Sequence, residues 1–157
     1  MTGGRTILIA VDGDDAEVCA GRATQAATSL FPDATFRFVH VARPVAMTPA
    51  GAYGPAGMAP MAVGPIDLEG ERADILRSAH EVAEQAARES GVPNATSVGL
   101  IGEPAETVIA EAAACGAAAI VISAHDRGWV ERLFHHSVRR DIERMSTVPV
   151  VVAPAAC

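Results

Sequence analysis

Short apolar runs alternate with amphipathic segments along the chain. The run TILIAV, from Thr6 to Val11, is typical of a parallel strand that is buried on both faces. Four further runs predict strands at residues 35–41, 95–101, 118–123 and 149–153. In the run TFRFVHV the side chains alternate between two faces, so we expect His40 to share a face with Phe36 and Phe38.

The segments between these runs carry apolar residues at helical spacing. The first helix follows the turn Asp12-Gly-Asp-Asp15 and extends to Leu30. A long second helix ends at Gly91, and the third begins at Pro104, which suits the first helical position. The fourth begins at Ser137, a good N-cap. Residues expected to face the core include Leu76 in the second helix, Ala113 in the third, and Val138, Ile142 and Met145 in the fourth.

This order of elements predicts an α/β fold. It implies one five-stranded parallel sheet, doubly wound, with helices on both faces and right-handed crossovers. The sequence has no internal repeat, so we expect residues 1–157 to form a single domain. In the strand order 3-2-1-4-5, strands one and four part at a switch point, and ligands bind beyond the carboxyl ends of strands at such a point.

Residues 43–67 interrupt this pattern. The segment contains five prolines and carries no charge between Arg43 and Asp67. A loop of this length within a compact domain is usually either functional or disordered. A lid, a partner-binding surface and simple disorder all fit its adaptable side chains, which include Met47, Tyr53, Met58 and Met61.

Composition and charge exclude several classes of function. A formal net charge of −7 argues against a binder of nucleic acid or of anionic membranes. The chain has no lysine, which excludes P-loop and Schiff-base chemistry, and it has no GxSxG motif. No apolar run approaches the ~18–20 residues of a membrane span, and MTGGRTILIAVDG is not a signal peptide. Three widely spaced cysteines favour a reduced, cytoplasmic setting.

Polar residues follow the two strands that meet at the expected crevice. Strand one is followed by Asp12 and Gly13, and strand four ends at Ser123, three residues before Asp126. The fourth helix, which starts at Ser137, can direct free N–H groups into the same crevice. The sequence therefore places a candidate ligand site there.

Three segments together resemble the universal stress protein family over nearly the whole chain. They are the opening ILIAVDGDD, the central GEPAETVIAEAAACGAAAIVIS and the final HHSVRRDIERMSTVPVVVAPA. The resemblance implies a fold like that of the adenine-nucleotide alpha-hydrolases and a homodimer paired through the strand at 149–153. Such pairing would also cover an apolar edge strand. It further implies a stress-response regulator that works through a protein partner.

Nucleotide-binding members of that family hold phosphates with a loop of the pattern Gly-x2-Gly-x9-Gly-Ser/Thr. When the final serine is aligned with Ser137, the glycine positions fall on Ser123, Asp126 and His136. The resemblance therefore implies a changed phosphate half in any site for ATP or AMP, with binding of ATP weakened or lost. Arg127, with Arg139 and Arg140, would offset the change if these side chains paired with phosphates.

The adenosine half of such a site matches the family better. Asp12 and Val41 end strands one and two, where nucleotide-binding members place adenosine contacts. Gly13 adjoins the first of these, and Val138 follows the retained serine of the loop. The resemblance therefore implies that the adenosine half survives.

Several polar clusters allow a second interpretation. The Asp12–Asp15 turn fits either Mg²⁺ beside a phosphate or an adenosine contact with acids at a helix N-terminus. His125, Asp126, His135 and His136 fit either a metal site or a solvated loop. Trp129 and Phe134 would anchor a partner or cover the crevice. No residue is assigned a catalytic role, and VDGDDAE does not match the SGGxDS loop of the fold relatives that cleave ATP to AMP.

Three functions remain open at this level. The first is a non-enzymatic homodimeric regulator that acts through partners. The second is an ATP- or AMP-binding protein with at most weak hydrolysis, in which arginines replace the glycine loop. The third is a binder of another small anionic metabolite in the remodelled crevice.

Overall fold

A computed structural model describes residues 4–11, 16–44, 67–123 and 137–153. Nine elements follow one another in these ranges: β1 (Thr6–Ala10), α1 (Ala16–Leu30), β2 (Thr35–Ala42), α2 (Leu68–Glu89), β3 (Thr96–Ile101), α3 (Pro104–Ala114), β4 (Ala117–Ser123), α4 (Ser137–Met145) and β5 (Val150–Ala153). Most of the expected loop at 43–67 lies outside the described residues. Its last residue, Asp67, caps α2 by accepting a hydrogen bond from the Gly70 amide at 2.9 Å.

The five strands form one sheet in the order β3-β2-β1-β4-β5, and all neighbouring pairs are parallel. This confirms the predicted sheet and its strand order. At the centre, Ile9 of β1 pairs with Phe38 on one side and Val121 on the other. Ile7, Leu8 and Ile9 are fully buried, so β1 is buried on both faces, as its continuous apolar run predicted.

Two apolar clusters cover the two faces of the sheet. One face carries Ile7, Ile9 and Phe38, which pack against alanines of α1 and α2. The opposite face carries Leu8, Val39 and Ile120, which pack against α3 and α4. Small alanines let the helices lie close to the sheet, so a core with few aromatic side chains is still filled. The predicted alternation along β2 is confirmed by these two clusters.

Three residues expected to face the core do not. Leu76 is 43% exposed and Met145 is 44% exposed, and Ala113 lies on the surface of α3. The 22 residues of α2 span about 33 Å, whereas the six residues of its neighbour β3 span about 20 Å. The first turns of α2 therefore extend past the described sheet, and its first buried residue is Ala79. Met145 is the last residue of α4, where the helix ends.

Two turns use left-handed backbone as the sequence predicts. Gly91 has φ of 66° after α2, and Gly116 has φ of 63° after α3. A Cβ atom at either position would have no neighbour within 4 Å, so glycine is required there by the backbone conformation and not by close packing. Among the helices described, none combines the length and the apolar character needed to cross a membrane.

Candidate functional site

The carboxyl ends of β1 and β2 form the first part of the site. The paired residues of these strands end at Ala10 and Val39, and one more bond runs from the Val11 amide to the Val39 carbonyl at 2.9 Å. The Val11 carbonyl then accepts a hydrogen bond from Nδ1 of His40, also at 2.9 Å. At the end of the main-chain ladder, the His40 side chain of β2 thus supplies the next hydrogen bond to β1.

Val41 lies just beyond this last ladder bond. Its side chain is half-buried and packs on the cluster that holds α3 and α4. The next residue, Ala42, accepts a hydrogen bond from the Gly102 amide at 3.0 Å, which ties the end of β2 to the turn after β3. The main chain around Val41 is therefore held from the β3 side.

Helix α4 contributes a second apolar contact to the same cluster. Val138 is 6% exposed and Ile142 is fully buried, and both pack with Ile122 of β4. Ser137 begins the helix and Ser123 ends β4. Since β1 and β4 are parallel neighbours, their carboxyl ends lie at the same edge of the sheet.

A cavity of about 300 Å³ opens between the first turn of α3 and one side of α4. Its charged side chains are of both signs, with Arg43 and Arg144 facing three carboxylates. The lining residues are Arg43, Glu103, Pro104, Ala105, Glu106, Val138, Asp141, Arg144 and Met145. The cavity therefore has no strong preference for either sign of charge.

Arg43 is the most informative of these side chains. Its guanidinium lies 3.9 Å from a carboxylate oxygen of Glu103, and its Nε atom is buried without a hydrogen-bond partner among the described residues. Glu103 precedes α3 without a side-chain cap, so within the described ranges the amides of Ala105 and Glu106 have no capping partner. The Arg43 guanidinium and the start of α3 thus place hydrogen-bond donors at one end of the cavity.

An ion pair connects β2 to α3 beside the cavity. Arg37 donates from Nε to the Glu111 carboxylate at 2.6 Å, and the Glu111 side chain is only 13% exposed. The pair joins the middle of β2 to the second half of α3.

Some of the predicted site residues can be placed. The structure brings Val41 and Val138 into one cluster, and it places Ser123 and Ser137 at the ends of β4 and α4. The other predicted site residues lie outside the described residues: Asp12, Gly13, Asp126, Arg127 and His136. The loop residues His125, Trp129, Phe134 and His135 also lie outside them. In the described ranges, no three potential metal-binding side chains come together.

The sequence did not assign His40 to the site. Alternation placed it on the face of Phe36 and Phe38, and that placement is correct for the two phenylalanines. A polar ring at the end of an otherwise apolar face was the available signal. Its partner, the Val11 carbonyl, becomes evident only from the register of β1 and β2.

Solved structures with the same fold include three universal stress proteins. A family protein from Burkholderia pseudomallei is 21% identical, with a TM-score of 0.57 over 99% of each chain. UspA from Lactobacillus plantarum is 20% identical, with a TM-score of 0.58 over 96% of this chain and 97% of that one. A universal stress protein in complex with cAMP is 19% identical, with a TM-score of 0.55 over 95% of each. A search of curated proteins finds no match.

At these identities the structural likenesses establish the fold alone. The sequence itself carries the family assignment, because the model of the universal stress protein family matches residues 4–154. That match covers every strand and helix described above. The chain belongs to the universal stress protein family.

Proposed function

We propose that this chain is a stress-response regulator that acts as a homodimer through protein partners, with a site in which ATP binding is weakened or lost. The single observation that carries the proposal is the set of residues at the glycine positions of the phosphate loop. These positions hold Ser123, Asp126 and His136 instead of glycine.

The adenosine half of the site has support from the described residues. The main chain at Val41 lies past the end of the β1–β2 ladder, and Val138 packs in the same cluster. One universal stress protein of this fold is in complex with cAMP, which makes adenine nucleotides the ligand class to test. The proposal is that adenosine contacts remain at Asp12 and Val41.

The phosphate half is expected to lose affinity for two reasons. A side chain at a left-handed glycine position costs roughly 1–2 kcal/mol. The Asp126 carboxylate at ~4 Å from a phosphate charge would add about 1–4 kcal/mol of repulsion, depending on the local dielectric. A micromolar ligand has only about 8 kcal/mol of binding free energy. Together these terms move ATP towards millimolar affinity.

Of the three arginines proposed to pair with phosphates, Arg139 donates to the Glu143 carboxylate at 3.1 Å, Arg140 is exposed, and Arg127 lies outside the described residues. The Arg139–Glu143 pair is exposed, which contributes little stability but partly neutralises the positive charge of Arg139. We therefore place an arginine-based ATP site second, and a site for another small anion third.

The proposed homodimer rests on β5. Among the described residues this strand pairs only with β4, and its valines Val150, Val151 and Val152 are half-buried. An apolar edge strand is a pairing surface, and a two-fold pairing with a second copy would cover it.

Native mass spectrometry of the purified protein tests both parts of the proposal. We expect a species of twice the 16.1 kDa chain mass that carries no ATP. A monomer at micromolar concentration would contradict the homodimer, and retained ATP would contradict the weakened phosphate half. Retention of a different small molecule would favour the third function.

A further inference from the structure

His40 makes a contact that the known features of the fold do not require. Its Nδ1 lies 2.9 Å from the Val11 carbonyl oxygen, at the end of β1. A carbonyl oxygen only accepts hydrogen bonds, so Nδ1 must carry the proton and donate it. In the neutral ring, Nε2 is then left as an acceptor.

This contact changes how β1 and β2 end. In a parallel ladder, a residue whose amide donates to one carbonyl of the neighbouring strand accepts, at its own carbonyl, from the amide two residues further along that strand. The Val11 amide donates to the Val39 carbonyl, so the expected donor to the Val11 carbonyl is the Val41 amide. The paired residues stop at Val39, and the His40 ring occupies the Val11 carbonyl. Among the residues described, the Val41 amide therefore lies outside the β1–β2 ladder.

The space around His40 is restricted from the other side. Its partner on β3 is Gly99, and a Cβ atom at Gly99 would overlap the His80 amide nitrogen of α2. The α2 backbone therefore takes the place of a side chain next to His40. The hydrogen-bond partner of the ring lies on the opposite side, at the end of β1.

We propose that His40 is a positioning residue for the adenosine half of the site. Because its ring occupies the Val11 carbonyl, the Val41 amide stays outside the β1–β2 ladder and is available for an acceptor atom of the adenine base. This inference rests on the proposed adenosine contacts, but the hydrogen bond itself can be tested without any nucleotide.

The first test is the tautomer of His40 in the ligand-free protein. Long-range ¹⁵N–¹H correlation of ¹⁵N-histidine-labelled protein, recorded where the ring is neutral, should show a protonated Nδ1 and an unprotonated Nε2. His40 is identified among the five histidines by its absence from the His40→Asn spectrum. A ring protonated on Nε2 would overturn the inference.

The second test compares two variants by AMP titration. In His40→Asn, the amide nitrogen is attached to Cγ as Nδ1 is, so it can keep the bond, and AMP affinity should stay within about threefold of wild type. His40→Leu has no donor and should bind AMP about tenfold more weakly. Melting temperatures of both variants show whether either change merely unfolds the protein.

The possible results separate this inference from the proposed function. Equal AMP affinity in His40→Leu and wild type would overturn the positioning role, and so would an equal loss in both variants. If wild type binds no AMP, the adenosine half of the proposed function fails, and the role of His40 in binding fails with it. A protonated Nδ1 in that case would still confirm the bond to Val11.

Discussion

The two halves of the proposed nucleotide site differ in what they are built from. The proposed adenosine half consists of main chain at the ends of β1 and β2, together with apolar side chains such as Val138. The proposed phosphate half depends on a loop in which the three glycine positions of the family pattern hold Ser123, Asp126 and His136. A main-chain site survives as long as the strands keep their register, whereas a loop that wraps phosphate fails when side chains enter it.

The strand ends that we propose to meet adenosine are part of the core, since Val39 is 1% exposed and Val11 is 8% exposed. A substitution on the surface of a helix is therefore not expected to displace their main chain. The proposed phosphate loop is expected to be more sensitive, because its glycine positions require the absence of side chains.

The largest expected effect comes from restoring the glycine loop. The triple variant Ser123→Gly, Asp126→Gly, His136→Gly should bind ATP about 100-fold more tightly than wild type, since it removes both the conformational and the electrostatic penalty. The affinity of this variant for adenosine should stay within about threefold of that of the wild type. Calorimetry with both ligands measures the two changes, and an unchanged ATP affinity would show that the loop is not what limits binding.

The next effect concerns the contact between Gly99 of β3 and the α2 main chain, next to His40. Gly99→Ala should lower the free energy of unfolding by about 1–3 kcal/mol, because its Cβ would overlap the α2 main chain at His80. Gly21→Ala is the matched control, since Gly21 lies in α1 with open space around it. That variant should gain about 0.5–1 kcal/mol. Urea unfolding measures both, and a neutral Gly99→Ala would mean that α2 does not lie against β3 as described.

A smaller effect isolates the charge at the phosphate half. Asp126→Asn should raise ATP affinity about fivefold to tenfold at low salt, because one repulsive carboxylate is removed. The gain should shrink as salt is raised towards about 1 M, where screening is strong. Adenosine carries no phosphate and serves as the control ligand. A gain that is equal for adenosine and ATP would exclude charge repulsion as the cause.

The smallest expected effect tests the competing arginine site. Arg139→Gln should change ATP affinity by less than about twofold, since its guanidinium is an exposed partner of Glu143. Fluorescence titration is sufficient to measure this. A loss of tenfold or more would favour the arginine-based ATP site instead.

Much of the fold was predictable because strand burial leaves a direct pattern in the sequence. The run at Thr6–Val11 is apolar on every residue after the first, as a central parallel strand requires, and α1 was predicted with its observed bounds. The exposure of Leu76 was not predictable, since helical periodicity does not reveal where the sheet beneath a helix ends.

The site was predictable only in part. The ends of β1, β2 and β4 follow from the strand order, so the meeting of Val41 and Val138 could be expected. The His40 contact and the cavity beside Arg43 depend on register and on the approach of α3 to α4. Neither leaves a periodic signal, which is why sequence reasoning missed both.

The measurement that tests the central claim most directly is calorimetric titration of the unmodified protein with AMP and with ATP under the same conditions. If the adenosine half is retained and the phosphate half is lost, ATP binds no more tightly than AMP and has an affinity near the millimolar range. Low-micromolar binding of ATP, tighter than that of AMP, would contradict the account.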